Sequence, residues 1–456
     1  MRVHQAYRYA LDPTPAQAAA LFSHGGAARF AFNWALHQVK AALSQREAEK
    51  TYGVPAEMLT EVPWSLYALR KLWNAAKDGV APWWAENSKE AYNSGLDGVA
   101  RGLKNWAASR KGTRAGRKIG FPRFRSKHRT TSACRFTTGT LRVEADRRHV
   151  TLPRLGTIRT HESTRKLARH LERGTGRILS VTIRYEGGRW FVAFTCEIDR
   201  TQRTPSRPDA VVGVDLGVKH LAVLSTGRVV DNPEHHRGAL RRLRRLNKQL
   251  ARRSGPHTPD GGDRREPSRR WRRAKAALGK AHARVTGQRR DGLHRLTSKL
   301  AATYGTVVIE NLNVSGMLAN RHLARAVADV GMGEVRRLLT YKTGWSGGRL
   351  VVADRWYPSS KTCSGCGAVK AKLPLSERTY ECDGCGLILD RDLNAARNLA
   401  ALAADVAQSR GETLNARRGA VGPGTRAGHA PMKREPRQRG TPPRQRGGSL
   451  ILTDKH

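Results

Sequence analysis

The chain has 456 residues, 39% of them hydrophobic, and a formal net charge of +47 from 84 Lys+Arg against 37 Asp+Glu. That length supports two to four modules with genuine cores. The charge confines the partners to polyanions: nucleic acid fits best, because neutralising phosphates releases counterions, and an anionic membrane surface is the alternative. No apolar run approaches the ~18 residues of a membrane span, and the start shows no leader pattern, so a soluble cytoplasmic protein with no membrane partner is expected.

The first residues, "VHQAYRYALD", alternate as a short strand does. Thr14 followed by Pro15 is a helix start signal. Ala27, Phe30, Ala31, Trp34 and Ala35 then imply a second amphipathic helix, and helical spacing continues through Leu66, Leu69, Leu72 and Trp73. The basic, Gly-containing stretch "RKGTRAGRKIGFPRFRSKHRTT" marks a boundary or a nucleic-acid-contacting linker. Beyond it the period changes to alternation, with a hairpin closed by Gly187 and Gly188, which predicts a small β-barrel or open barrel. Cys134 and Cys196 lie in these alternating stretches and are expected in the core.

From Ala210 the order becomes strand-strand-strand-helix-strand-helix-strand-helix, the element order of the RNase H-like fold with insertions. The strand ends carry acids: Asp215 closes "VVGVD" and Glu310 closes "TVVIE", while Asp392 opens the last helix. Strand ends are where ligands bind in α/β sheets, and three carboxylates from distant parts of the chain could hold two Mg²⁺ ions for phosphodiester chemistry. The plainer alternative makes Asp215 a turn cap, Glu310 the partner of an arginine and Asp392 a helix cap. Asp390, two residues earlier, reads as a local cap or an ion-pair partner.

Two C-x-x-C pairs, Cys363/Cys366 and Cys382/Cys385, are separated by fifteen residues and each is followed by glycine. This is the spacing of a zinc ribbon, in which four thiolates leave one structural Zn²⁺ with no open position. Two disulfides or an iron–sulfur site are the alternatives. Between Arg237 and Arg290, nineteen Lys/Arg face three acids, Asp260, Asp263 and Glu266. Leu240, Leu243, Leu246 and Leu250 form one stripe there, and the sign purity favours a nucleic-acid-facing helix over a merely solvated one. Candidate nucleic-acid contacts are Arg123, Arg125, Lys127, Arg241, Arg245, Lys248, Arg252 and Lys361.

Five segments, "GFPRFRSK" (120–127), "GVDLGVKHLAV" (213–223), "VIENLNVSGM" (308–317), "YPSSKTCSGCG" (357–367) and "YECDGCGLILDRDLNAARNLA" (380–400), resemble the transposon-encoded TnpB/OrfB family, relatives of the type V CRISPR effectors. The resemblance implies an α+β multidomain fold. Its parts are a first wedge strand (1–12), a helical recognition lobe (13–118), a wedge β-barrel (119–204) and a RuvC-like nuclease domain (205–408). That last domain would carry a basic helical insertion (235–302) and a zinc ribbon (358–389), before a disordered basic tail (409–456). It further implies that Asp215, Glu310 and Asp392 are the catalytic carboxylates and that Cys363, Cys366, Cys382 and Cys385 hold zinc. The implied activity is Mg²⁺-dependent cleavage of double-stranded DNA, guided by RNA from the transposon end, next to a short adjacent motif, by a nucleoid-associated prokaryotic protein acting as one monomer per RNA. Two other activities fit the same residues: a transposase joining strands, and a guide-dependent binder or repressor that does not cut.

Overall fold

The computed structural model describes residues 1–127, 130–253, 267–374 and 376–403. The tail over 409–456, and the three acids of the insertion, lie outside the described residues. An opening strand, β1 (Arg2–Asp12), leads into α1 (Pro15–Thr51). Thr14 Oγ1 accepts from the Gln17 N–H at 3.3 Å and Gln17 Oε1 accepts from the Thr14 N–H at 3.0 Å, a reciprocal cap that fixes where the helix starts. The separate second helix expected over Ala27–Ala35 is instead the continuation of α1. Its Gly25 faces Ser132, where a Cβ would collide with the hydroxyl, so this glycine allows close packing and does not break the helix. Two further helices, α2 (Leu66–Val80) and α3 (Lys89–Arg110), pack on α1 through Leu69, Trp73, Leu96 and Leu103.

Six more strands and a short helix follow: β2 (Ala133–Phe136), β3 (Arg142–Val143), β4 (His149–Leu152), β5 (Gly156–Thr160), α4 (Arg165–Glu172), β6 (Gly176–Glu186) and β7 (Arg189–Asp199). With β1 they form one sheet in the order β2-β6-β7-β1-β5-β4-β3. The closed barrel allowed by the sequence is not formed: among the described residues, the edge strands β2 and β3 do not pair. The outer edge of β2 is already covered by α3, where the Arg135 N–H donates to Ser94 Oγ at 3.2 Å and the Thr137 N–H to Glu90 Oε2 at 2.7 Å. An edge whose donors are taken cannot template a closing strand. Helices and sheet share one core that includes the buried Cys134 and Cys196.

The second sheet is built from β8 (Arg207–Asp215), β9 (His220–Leu224), β10 (Val229–Asp231), β11 (Tyr304–Ile309) and β12 (Arg349–Val352), in the order β10-β9-β8-β11-β12. β8, β11 and β12 are parallel, and β9 and β10 return antiparallel. The parallel strands are buried on both faces, which explains why "VVGV" and "TVVI" read as unbroken apolar runs. Between β10 and β11 stand α5 (His235–Arg252) and α6 (Arg269–Thr303). Between β11 and β12 stand α7 (Val314–Ala319), α8 (Ala324–Val330) and α9 (Met332–Trp345). A two-stranded hairpin, β13 (Thr379–Glu381) and β14 (Ile388–Asp390), precedes the last helix, α10 (391–403). The chain is thus an α+β protein of mixed sheets and helices, and no helix among the described residues is long and apolar enough to cross a membrane.

The last helix lies with its backbone against β8. A Cβ on Gly213 would run into the Ala396 carbonyl oxygen and stand 2.6 Å from the Ala400 nitrogen. Gly213→Ala must therefore push α10 away, at a cost of roughly 1–3 kcal/mol. The denaturation midpoint should fall accordingly, whereas Gly238→Ala on α5, where nothing lies within 4 Å, should not lower it. Equal midpoints for Gly213→Ala and the parent protein would refute the close approach.

Candidate active site and metal centre

Parallel pairing of Val214 with Ile309 sets Asp215 and Glu310 side by side at the same end of β8 and β11. Asp392, in the first turn of α10, completes the group: the Asp215 carboxyl is pushed up to about 8 by burial first, and then by the negative charges of Glu310 and Asp392. Arg391 opposes the shift only in part, because its guanidinium is held at 2.8 Å by the Pro374 carbonyl. The structure thus brings the three acids together. Glu310 takes its hydrogen bond from the Ser359 hydroxyl, and Asp392 stands 4.0 Å from the Arg378 guanidinium. The helix cap is Asp390, whose Oδ1 accepts from the Asp392 N–H at 2.9 Å and the Leu393 N–H at 3.1 Å. The two aspartates therefore divide: Asp390 faces the backbone, and the charge of Asp392 acts on Asp215. Three hard oxygen donors with too few cations form a donor set suited to Mg²⁺.

Residues that sequence reasoning missed hold this arrangement. Asn394 and Asn398 are buried on α10 and fasten it to the segment before the first cysteine pair. Asn394 Nδ2 donates to the Thr362 carbonyl at 2.7 Å, and its Oδ1 accepts from the Ser364 N–H at 2.9 Å. Asn398 Nδ2 donates to the carbonyls of Ser359 and Thr362 at 2.7 and 2.6 Å. The same segment carries Ser359, the partner of Glu310. The signal was present in "NAARN", where two asparagines four apart share one helix face, an expensive choice for a buried face unless both amides are satisfied.

The four cysteine sulfurs lie within 4.8 Å of one another. Cys363 Sγ is 3.6 Å from Cys385 Sγ and Cys366 Sγ is 3.5 Å from Cys382 Sγ. Those separations exclude disulfides, whose sulfurs stand ~2.05 Å apart, and match the edges of a tetrahedron with bonds of about 2.3 Å to one ion. Each pair closes the same knuckle: the Gly367 N–H donates to the Cys363 carbonyl at 3.0 Å and the Gly386 N–H to the Cys382 carbonyl at 2.9 Å. Both glycines take positive φ, 78° and 72°, as the turn requires. The N–H groups of Cys385 and Gly384 push the Cys382 thiol down, in the direction of the thiolate that binds a metal.

The candidate cations fall into two groups. Arg123, Lys127, Arg241, Arg245, Lys248 and Arg252 are exposed. On α5 they stand opposite Leu243 and Leu246, which pack on Ala281 of α6. Arg125 is half-buried, its guanidinium 3.5 Å from the Phe32 ring centroid, and Lys361 donates to the Ala371 carbonyl at 2.8 Å. Both are engaged within the fold.

The raised Asp215 has a measurable consequence. Its folded value lies above the ordinary ~3.9, so between about pH 4 and pH 8 the folded state holds a proton that the unfolded state has lost, and stability falls as pH rises. Without added Mg²⁺, Asp215→Asn should therefore unfold at a higher temperature than the parent protein at pH 8, the gap closing toward pH 4. A parent protein at least as stable as the variant at pH 8 would show that the site holds no electrostatic strain.

Residues 193–321 match the family model OrfB_IS605, described as "Probable transposase", and residues 333–399 match "Cas12f1-like, TNB domain". Residues 1–48 match a "Helix-turn-helix domain"; here they form β1 and the uninterrupted α1. The chain is 41% identical over 415 residues to "Putative RNA-guided DNA endonuclease Rv2885c" of Mycobacterium tuberculosis, covering 87% of this chain and 86% of that one. It is 33% identical over 442 residues to "Putative RNA-guided DNA endonuclease" of Streptomyces pristinaespiralis, covering 96% and 97%. Among solved structures it is similar to the "Cryo-EM structure of the Cas12f1-sgRNA-target DNA complex", at 12% identity and a TM-score of 0.43, over 88% of this chain and 99% of that one. On the identity and coverage of the two curated relatives, the chain belongs to the TnpB/OrfB family, whose members here are described as RNA-guided DNA endonucleases.

Proposed function

We propose that the protein is an RNA-guided, Mg²⁺-dependent endonuclease that cuts double-stranded DNA beside a short adjacent motif, with Asp215, Glu310 and Asp392 as a RuvC-type active site. The observation that carries this reading is the convergence of Asp215, Glu310 and Asp392, brought together by the parallel pairing of β8 with β11 and by the packing of α10 on Gly213. Relatives of 41% and 33% identity with the same description support it. Two Mg²⁺ ions bound there would supply Lewis-acid polarisation of the scissile phosphodiester. The chain's own part is to keep three carboxylates converged against their mutual repulsion: Ser359 orients Glu310, Asp390 caps α10, and Asn394 and Asn398 stop that helix from sliding. The exposed arginines of α5 would track the phosphates of a guide–target duplex, leaving sequence to base pairing. In this reading residues 13–118 form the recognition lobe, 119–204 the wedge and 205–408 the nuclease domain, and one Zn²⁺ sits on Cys363, Cys366, Cys382 and Cys385.

The protein, co-purified with RNA from its own locus, should linearise a matched plasmid with Mg²⁺, without joined strand-transfer products. Asp215→Asn, Glu310→Gln and Asp392→Asn should each slow cutting by roughly 10³-fold or more while retaining the RNA. Asp390→Ala, which removes only a cap, should cost far less. Undiminished cutting by Asp392→Asn would end the assignment.

Zinc is checked separately. Elemental analysis should find one zinc per chain, and Cys382→Ser should lose it together with cleavage, since the knuckles position the segment that holds α10. A fully active, zinc-free variant would show that the thiolates do not hold the site together.

A further inference from the structure

Between β12 and the first cysteine pair the chain runs past the active site as a strap fixed at several points. The Ala353 N–H donates to the Ile309 carbonyl at 2.9 Å, the Trp356 N–H to Asp354 Oδ1 at 2.8 Å, and the Tyr357 hydroxyl to the Asn398 carbonyl at 3.2 Å. Ser359 then reaches Glu310. A cleft of about 330 Å³ opens along this strap, lined among others by Glu310, Asn311, Leu312, Arg355, Trp356 and Tyr357. It begins at a carboxylate of the active site and reaches an indole that is 84% exposed.

That indole stands apart from the rest. Of the ten tryptophans, the nine others each take an aromatic or cationic ring partner. Among the described residues, Trp356 takes neither and buries little, so packing gives no reason for it. A single exposed hydrophobic residue would need no explanation. This one is held on a pinned turn at the rim of a cleft that ends on Glu310, with the exposed Arg355 beside it.

We propose that Trp356 is a stacking platform for one unpaired nucleobase of the DNA strand presented to Glu310. The inference rests on the nuclease reading above and adds the substrate's local form. A base inside a duplex has both faces covered by its neighbours, so a free indole face can be met only by a base in a single strand. Guide pairing produces such a strand by displacing it. Stacking is indifferent to base identity, which suits a protein whose sequence reading is done by RNA. Rigidity follows from the strap: a base stacked on Trp356 is registered against Glu310 through a few hydrogen-bonded residues, so the phosphodiester next to it is held in place.

The test uses the full chain with its co-purified RNA, and DNA carrying 2-aminopurine at successive positions around the cut. In Asp215→Asn, where the strand stays intact, fluorescence should be quenched at one or two neighbouring positions. Trp356→Ala should release that quench and Trp356→Phe should keep most of it. In the cleaving protein, Trp356→Ala should slow cutting roughly 5- to 150-fold. An abasic site at the quenched position should slow the parent by a similar factor and Trp356→Ala no further. Unchanged zinc and RNA content would show that the variant is folded. A Trp356→Ala quench profile identical to the parent's overturns the proposal, as does an abasic penalty that persists unchanged in that variant. Failure of the parent protein to cut would instead count against the nuclease reading, and the quench profile would still decide the stacking.

Discussion

A helix backbone can lie directly on a strand only where the strand carries no side chain, and β8 carries none at Gly213, beneath Ala396 and Ala400. Two residues later on the same strand stands Asp215, and one turn earlier on the same helix stands Asp392. The approach at Gly213 therefore sets the separation between two of the three acids. The third is placed by backbone pairing, since Glu310 continues β11 beside Asp215. What remains is to stop α10 from moving along its axis, and the buried asparagines do this by gripping the segment that leads into the cysteine centre. The cysteine knuckles are thus part of the frame that holds the three acids: they stiffen both ends of the segment between Ser359 and Asp390.

Electrostatics makes such a frame necessary. Bringing three carboxylates together is unfavourable even in a chain of net charge +47, because the charges that matter are local. The arginines of α5 are exposed, where water and salt screen them from the half-buried acids. Arg391, the cation that lowers Asp215, is held by the Pro374 and Glu377 carbonyls and opposes the shift only in part. Arg378, 4.0 Å from Asp392 at the site's edge, and Arg391 leave three carboxylates only partly compensated, a donor set of the kind that suits hard cations. The packing of α10 opposes the repulsion among the three acids.

Much of this was legible in the sequence where a local pattern has one physical cause. The cysteine spacing specifies a knuckle pair, "VVGVD" and "TVVIE" specify buried parallel strands ending in acids, and Thr14-Pro15 starts a helix. Patterns whose meaning depends on a distant partner were not legible. Gly25 and Gly26 could have ended a helix, and only Ser132, over a hundred residues away, shows why α1 continues. Alternating strands left both a closed and an open barrel possible, and closure depends on whether the β2 edge is free, which Ser94 and Glu90 of α3 already occupy. Ser359 carries no signal of its own, because a serine acquires a role only from the carboxylate that it meets.

The basic segment "GFPRFRSK" shows why a list of cations is not a list of contacts. Its backbone is pinned at Arg125, whose N–H donates to Asn33 Oδ1 at 2.8 Å and whose carbonyl accepts from Asn33 Nδ2 at 2.9 Å. The Arg125 guanidinium lies over Phe32 on the same helix, and burial pushes its pKa down. Arg123 and Lys127, two residues to either side, stay exposed. In an extended segment residues two apart share a face, so alternation would have placed all three together. The contact with α1 instead takes the middle one into the fold as a clamp and leaves its neighbours outside. The same division recurs on α5, where Leu243 and Leu246 are buried so that the arginines between them are held outward at fixed spacing. In both places apolar or half-buried groups fix the geometry, and the charge is presented by residues that take no part in packing. A basic surface of this kind can therefore meet a regular phosphate lattice without each long side chain having to be ordered from a free loop.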